Sequence, residues 1–430
     1  MNSLFKYMSL LATISLFLSA CGGNAVPAGP SGGIARSESQ RITSPDVPPT
    51  GLQTLVDGNN AFALELYQSL RDSDENLFYS PFSISLALAM TYAGARGETE
   101  SQMADVLHFD LPQDELHPAF NALDLELEKR GEAQSDQGQP LQIDIANAIW
   151  AEQSYSFLQG YLDTIAENYG AGIRLADFIN QAEAVRGEIN EWVSEQTNDK
   201  IKDLIPSGAL DELTRMVLVN AIYFKANWAD QFEEESTTNQ VFHLLDGSEV
   251  DVAMMHQGMQ IPYASGDGYQ AIELAYQGQT AAMDIIVPDE GNFEALESSL
   301  DVTLLNEILN GMQPSGVELA LPKFSFTDEF NLSDTLKDLG VTEAFDPDTA
   351  DFTGMSETRD LYITDIAHKA FVAVDEEGTE AAAATAVIIG TTSAPLFEVQ
   401  LTIDRPFIFI IRDIPSGQIL FVGRVLNPAQ

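Results

Sequence analysis

Apolar positions recur at helical spacing early in the chain and gather into strand-like runs later. Over residues 59–71, Phe62, Leu66 and Leu70 share one face, which predicts an amphipathic helix. Ser80-Pro81 offers a cap and a first-turn proline, opening an apolar helix through Ala89 to Tyr92. Residues 182–197 set Val185, Ile189, Trp192 and Val193 on one stripe, with a polar face opposite. Residues 203–213 are turn-rich around Pro206-Ser207-Gly208. Strands are predicted at 141–150, where Leu141, Ile143 and Ile145 alternate, and at 216–224, whose continuous apolar run fits burial on both faces. Further strands are predicted at 283–287, 317–326, 370–374, 401–411 and 418–425, the last two joined by a hairpin connection over 412–417. Helices early and strands late, without alternation, point to an α+β fold with large antiparallel sheets. No repeat and no second linker interrupts 52–428, so one large domain is expected.

Residues 376–396 contradict themselves. Thr379, Glu380 and the run Ala381, Ala382, Ala383, Ala384 look like a capped helix start. Val387, Ile388, Ile389, Thr391 and Thr392 favour strand. At period two, Thr379, Ala381, Ala383, Thr385, Val387, Ile389 and Thr391 form one small-to-apolar face, with Glu380 pointing the other way. Loop, helix and strand all remain open on local grounds, and such a segment is a candidate for a change of state.

The 430 residues are 45% hydrophobic and 20% charged, enough apolar material for a large core. Lys6, the apolar run of residues 9–18 and the small residues before Cys21 read as an export signal over 1–20, too short to span a bilayer. The order of parts resembles a bacterial lipobox, in which Cys21 is lipidated and becomes the mature N-terminus; plain secretion is the simpler alternative. Gly22 in place of aspartate favours outer-membrane sorting. Cys21 is the sole cysteine, so no internal disulfide is expected. Residues 22–51 hold six glycines, five prolines and no aromatic residue, which predicts a disordered tether with a reach of about 30 Å. The formal net charge of −46 argues against nucleic acid and polyanionic partners. It fits solubility in a saline habitat, or attraction of basic partner proteins.

Enzymatic chemistry finds little support. His108, His117, His243, His256 and His368 are scattered and lack metal-ligand spacing. There is no strand-to-helix G-x-S-x-G elbow, no H-E-x-x-H and no phosphate-cradling glycine loop after a strand. Sixty-six carboxylates make chance pairs certain, so carboxylate spacing carries no argument. No enzyme, cofactor or metal is expected.

The C-terminal string Leu401-Thr-Ile-Asp-Arg-Pro-Phe-Ile-Phe-Ile-Ile411 resembles the serpin signature at every position. Asn76-Leu-Phe-Tyr-Ser-Pro-Phe-Ser83 and Thr91-Tyr-Ala-Gly-Ala95 resemble the family's helix B. Ile189-Asn-Glu-Trp-Val193 is similar to the end of helix F, and Asn220-Ala-Ile-Tyr-Phe-Lys-Ala-Asn-Trp228 to the third strand of sheet A. Leu321-Pro-Lys-Phe324 and His368-Lys-Ala370 are equally typical. The resemblance covers 52–428 and implies a serpin fold: a large central mixed sheet A, two further sheets, eight to nine helices and an exposed reactive-centre loop near 376–396.

It further implies a suicide-type inhibitor of serine proteases. Counting as in inhibitory members puts the scissile bond at Thr392-Ser393, with Ile389 or Thr391 as alternative sites, and the hinge at Glu376, Gly378, Thr379, Glu380 and Ala381–Ala384. Gly378 would allow a turn without a Cβ clash, and small residues would slide between packed strands, where a charge or a proline would not. As an added strand, residues 379–392 would span about 48 Å, most of a domain diameter of about 54 Å. The attached protease would be carried across the molecule as its acyl-enzyme. Ser80, Ser83, Asn220 and His368 match the family's shutter; Lys323, Glu376 and Trp228 match its breach. A threonine before the bond suits an elastase-like or subtilisin-like protease, and the lack of Lys or Arg between Lys369 and Arg405 argues against trypsin-like enzymes. Cysteine proteases stay open. The acidic run within 123–128 argues against heparin. The expected species is a monomer that touches the membrane through its lipid alone. A non-inhibitory serpin acting as a binding or structural protein is the alternative, though such relatives tend to carry bulky, charged or proline residues at the hinge.

Overall fold

A strand with apolar residues on both faces needs cover on both sides, and the strand Met216–Asn227, buried at all but Lys225, meets this at the centre of the molecule. In the computed structural model, which describes residues 32–133, 142–379 and 397–430, two sheets share one core. The first has seven strands in the order β1 (Ile34–Ala35), β4 (Ile173–Ala176), β3 (Gln142–Glu152), β5 (Met216–Asn227), β13 (Gly378–Thr379), β12 (Asp365–Val374) and β11 (Phe324–Asn331). The second has nine. Its order is β14 (Val399–Thr402), β10 (Gln313–Pro322), β7 (Glu249–Gly266), β8 (Tyr269–Ala275), β9 (Ala281–Pro288), β15 (Phe407–Asp413), β16 (Ile419–Val425) and β2 (Leu77–Tyr79), with β6 (Thr238–His243) beside β7. The two smaller sheets implied by the family resemblance are thus hydrogen-bonded into one path, because β7 runs through both. Both sheets are mixed, with parallel pairs β5–β12, β3–β4 and β10–β14.

Nine α-helices lie among the described residues: α1 (Pro49–Leu70), α2 (Pro81–Tyr92), α3 (Gly97–Leu107), α4 (Gln113–Ala133), α5 (Gln159–Tyr169), α6 (Phe178–Gln196), α7 (Phe293–Ser299), α8 (Val302–Gly311) and α9 (Leu332–Leu339). Helix α2 is buried along its whole length, which explains its unbroken apolar character; Ser80 caps it by accepting from the Ser83 amide. Helix α6 packs Val185, Ile189 and Val193 onto the outer face of the first sheet, against Ala146, Ala148, Val217, Val219, Ala221 and Ala367. Met216, Leu218, Ile222 and Phe224, on the opposite face of β5, enter the main core.

Several expectations shift. The predicted helix at 59–71 starts ten residues earlier, at Pro49, a first-turn proline. Its early part was obscured by Gly51 and Gly58, yet a Cβ at Gly58 would lie 2.3 Å from the His108 carbonyl oxygen, so close packing on α3 requires glycine there. The strand predicted at 317–326 is two strands in different sheets. Pro322 cannot donate to a ladder, and at Lys323 the chain crosses from β10 to β11. The strand predicted at 401–411 likewise divides around Pro406 into β14 and β15.

The largest revision concerns the tether. Residues 32–48 do not trail free but form a strap docked on the outer edge of the first sheet. Ile34 and Ala35 pair antiparallel with β4, and Leu175 N donates to Gly33 O at 2.9 Å. Ser37 Oγ donates to Asp163 on α5, and Ile42 N to Glu167 O at 2.8 Å. Arg41 reaches Asn121 at 2.8 Å, Glu128 at 2.9 Å and Asp124, all on α4. Burial raises the Asp124 carboxyl above the usual carboxylate range, a shift that Arg41 opposes. Arg41→Ala should therefore cost about 1–2 kcal/mol, given partial solvent screening of the pair. Urea unfolding of the two proteins measures it; an unchanged midpoint would mean that the strap contributes nothing to stability.

Candidate functional site

Strand β12 ends at Val374, and the chain then turns back within three residues. The turn is held by Asp375, whose Oδ1 accepts from the amides of Glu377 at 3.0 Å and Gly378 at 3.2 Å, while its own amide donates to Gly378 O at 3.0 Å. Burial raises the Asp375 carboxyl above its ordinary range, against those backbone bonds. Gly378 and Thr379 then enter the first sheet as β13, antiparallel to both neighbours: Thr379 pairs with Val374 of β12 and Ala226 of β5, and Gly378 with Asn227. A Cβ on Gly378 would lie 2.1 Å from the Ala226 carbonyl oxygen. The glycine is thus demanded by this close approach, where the sequence alone pointed to a turn. Below this point β5 and β12 pair directly with each other, from Val217–Asp365 to Tyr223–Phe371.

The seat of Thr379 is built from residues that the family pattern names only in part. Thr379 is fully buried, and its hydroxyl shares a 2.7 Å hydrogen bond with Tyr276. The Tyr276 ring stacks on Trp228, with centroids 4.7 Å apart and planes at 8°. Trp228 donates its Nε1–H to Asp375 O at 3.0 Å and its amide to Glu377 O at 2.9 Å. It is therefore a wall of the hinge as well as part of the core.

The breach pair forms. Lys323 Nζ lies 2.5 Å from Glu376 Oε2, and Thr237 Oγ1 donates to Glu376 Oε1 at 2.7 Å. Burial disfavours the Glu376 carboxylate, but the bonds from Lys323 and Thr237 outweigh it and hold its pKa below the usual value. The strand crossing at Lys323 is what brings that ammonium to the top of the first sheet.

The shutter residues also converge. Asn220 on β5 and His368 on β12 face each other across the directly paired stretch. His368 Nε2 accepts from the Ser80 amide at 3.4 Å, which leaves the proton on Nδ1, where it meets Asn220 Oδ1. Asn220 Nδ2 donates to Ser83 Oγ at 2.7 Å and to Asn147 Oδ1. Asn147 on β3 closes the cluster by donating to Ser83 O at 3.0 Å, and Ser80 Oγ donates to Leu420 O at 2.7 Å. Asn147 was missed by the sequence reading, although an asparagine amid Ile145, Ala146, Ala148 and Ile149 was its signal. Of the other named positions, Glu380, Ala381–Ala384, Thr392, Ser393 and Cys21 lie outside the described residues.

Burial pushes the His368 pKa down to about 3. Protonation would set a second N–H against the Ser80 amide donor, so the folded state keeps the ring neutral. The unfolded chain takes up that proton below about 6.5. His368 therefore contributes stability that is full above that pH and is lost progressively as pH falls toward the folded value. His117, held down to about 4 chiefly by burial, adds a slope of the same sign. In melting scans from pH 7.5 to 4.5, His368→Gln should flatten the acid-side decline without abolishing it; an unchanged slope would show that His368 titrates alike in the folded and unfolded chain.

Comparison with known proteins agrees with this geometry. The family model described as serpin (serine protease inhibitor) matches residues 57–428. A serpin-like protein of Thermococcus kodakarensis, TK1782, is 44% identical over 378 residues, covering 87% of this chain and 86% of its own length. Leukocyte elastase inhibitor A of Mus musculus is 40% identical over 388 residues, covering 88% of this chain and all of its own. The native-state structure of tengpin, a thermophilic serpin, superposes with a TM-score of 0.80 at 28% identity, covering 92% of this chain and 99% of that one. On sequence and fold alike, the chain belongs to the serpin family of serine protease inhibitors.

Proposed function

We propose that this serpin is a suicide-type inhibitor that works by inserting its reactive-centre loop into the seven-stranded sheet. The observation that carries the proposal is the seat of Gly378 and Thr379 between β5 and β12, directly above the stretch where those two strands hold only each other. A chain advancing from Thr379 along the same line meets that stretch and must separate it. One parallel ladder is then exchanged for two antiparallel ones, a favourable trade because antiparallel pairing is slightly the more stable per residue. Entry needs narrow side chains, and after Glu380 the run Ala381–Ala384 supplies them. The outer face of the seam is covered by α6, whose Val185, Ile189 and Val193 pack with Val217, Val219, Ala221 and Ala367, so α6 must shift to let a strand pass.

The chemistry belongs to the protease. Its serine hydroxyl attacks the Thr392 carbonyl, the Thr392–Ser393 amide breaks, and the amine of Ser393 leaves with a proton. The resulting ester joins the protease to Thr392, and insertion of residues 380–392 carries it from one end of the sheet toward the other. The inhibitor is consumed, one per protease. Thr392 suits a small or medium apolar pocket, and the similarity to an elastase inhibitor supports an elastase-like target; subtilisin-like enzymes fit the same bond, and a cysteine protease would form the corresponding thioester. Lipidation at Cys21 would hold the inhibitor on the outer membrane; secretion into the medium is the other outcome of export.

Incubation with elastase and subtilisin, followed by denaturing gel electrophoresis, tests the mechanism. The expected result is a band at the summed mass, with cleavage after Thr392. Cleavage of every molecule without that band would favour a binding or structural role. The hinge gives a sharper test. Thr379→Arg places an unpaired charge in a fully buried position, so inhibition should fall at least tenfold while cleavage continues. Undiminished inhibition by that variant would exclude insertion through β13.

A further inference from the structure

A cavity of about 370 Å³ opens beside the hinge, and nothing in the inhibitory mechanism uses it. Its walls are apolar where they are deepest, with Trp228, Phe232, Ile261 and Leu274. Asp230 and Glu273 supply its charge, and no lysine or arginine lines it. Glu273 is paired behind the wall with Arg412, which also binds the buried Asp284 at 2.7 Å. Asp230 is exposed at the rim. The lining thus carries two carboxylates, Asp230 and Glu273, and no cation of its own, within a chain of net charge −46. A volume of this size holds one ring-bearing small molecule, and apolar walls with a few directed polar groups are the usual make-up of such sites.

We propose that this cavity is a binding site for a small aromatic amine in its ammonium form, and that occupancy holds the hinge in its seat. The second half rests on the insertion mechanism proposed above. The link is direct, because the cavity wall and the hinge turn are bonded to each other. Trp228 donates to Asp375 O and Glu377 O, and the Phe232 amide donates to Glu376 O at 2.9 Å. The same Trp228 stacks on Tyr276, which grips Thr379. A ligand packed on this wall favours the arrangement it binds, and by reciprocity a loosened hinge weakens the ligand.

Phenethylamine is the probe, with 3-phenylpropionate as its charge-reversed control. For a ligand of nine heavy atoms the expected Kd is about 1 mM. Saturation-transfer NMR and calorimetry on the intact chain should detect the amine and not the acid. Asp230→Asn should weaken the amine about threefold or more, and Ala229→Trp, at the mouth, should abolish binding with the melting temperature preserved. Equal binding of amine and acid, or binding that survives Ala229→Trp, would overturn the site. Tyr276→Phe, which removes the grip on Thr379, should weaken the amine at least threefold; an unchanged Kd would overturn the coupling to the hinge. None of these readouts involves a protease. A chain that binds the amine but traps no protease would sink the insertion mechanism and leave the site standing.

Discussion

Everything in the seven-stranded sheet depends on one seam, the parallel ladder between β5 and β12. It is continuous from Val217–Asp365 to Tyr223–Phe371 and then gives way, because Gly378 and Thr379 occupy the space between the strands above it. The shutter sits on the closed part of this seam and the breach on the open part. His368 and Asn220 tie the two strands together through side chains where their backbones also pair. Lys323, Glu376, Tyr276 and Trp228 hold the entering hairpin at the top. The sheet is thus at once closed by its own strands and already parted by a third, and both conditions are written in hydrogen bonds that exclude each other further along.

The acid-rich composition makes basic residues scarce, and two of them, Arg424 and Arg412, are set among carboxylates inside the fold. Arg424 is buried with Glu297, which it meets at 2.7 Å, and donates to the carbonyl oxygens of Arg71, Ser73 and Glu75, so it closes the end of α1 against β16. Arg412 does the same service between β9 and β15 through Asp284. Burial pushes Asp284 up to about 7, an effect that Arg412 opposes, so this pair is a costly one to bury and a strong register mark. With 66 acidic and 20 basic residues in the chain, most carboxylates face water, where mutual repulsion is screened by salt.

Much of this was legible in the chain. The apolar residues on both faces of β5 announced a strand covered on both sides, and the Ser80-Pro81 pair announced the start of α2. Ser83, Asn220 and His368 meet in one hydrogen-bonded cluster because each sits on a regular element, whereas Lys323 and Glu376 meet from the ends of elements. What escaped were contacts that depend on how separate elements meet. Tyr276 ends a hairpin far from Thr379 in sequence, and Thr237 precedes a short edge strand, so neither advertises its bond to the hinge. The crossing at Lys323 was hidden because β10 and β11 have similar strand-like composition, and periodicity does not say which sheet a strand joins. The strap was hidden by its glycines and prolines. Its order comes from partners on α4, α5 and β4, and a chain segment's own composition carries no record of such partners.

That strap alters what the outside of the sheet can do. An uncovered edge strand presents a row of free amides and carbonyls to any extended chain nearby. On β4 this row is taken by residues 32–35, and Arg41 fastens the continuing chain to α4. A strand that arrives from elsewhere, in the same molecule or another, finds this flank already occupied. That flank is closed by the chain's own strap, while the seam between β5 and β12 holds Gly378 and Thr379 from the same chain.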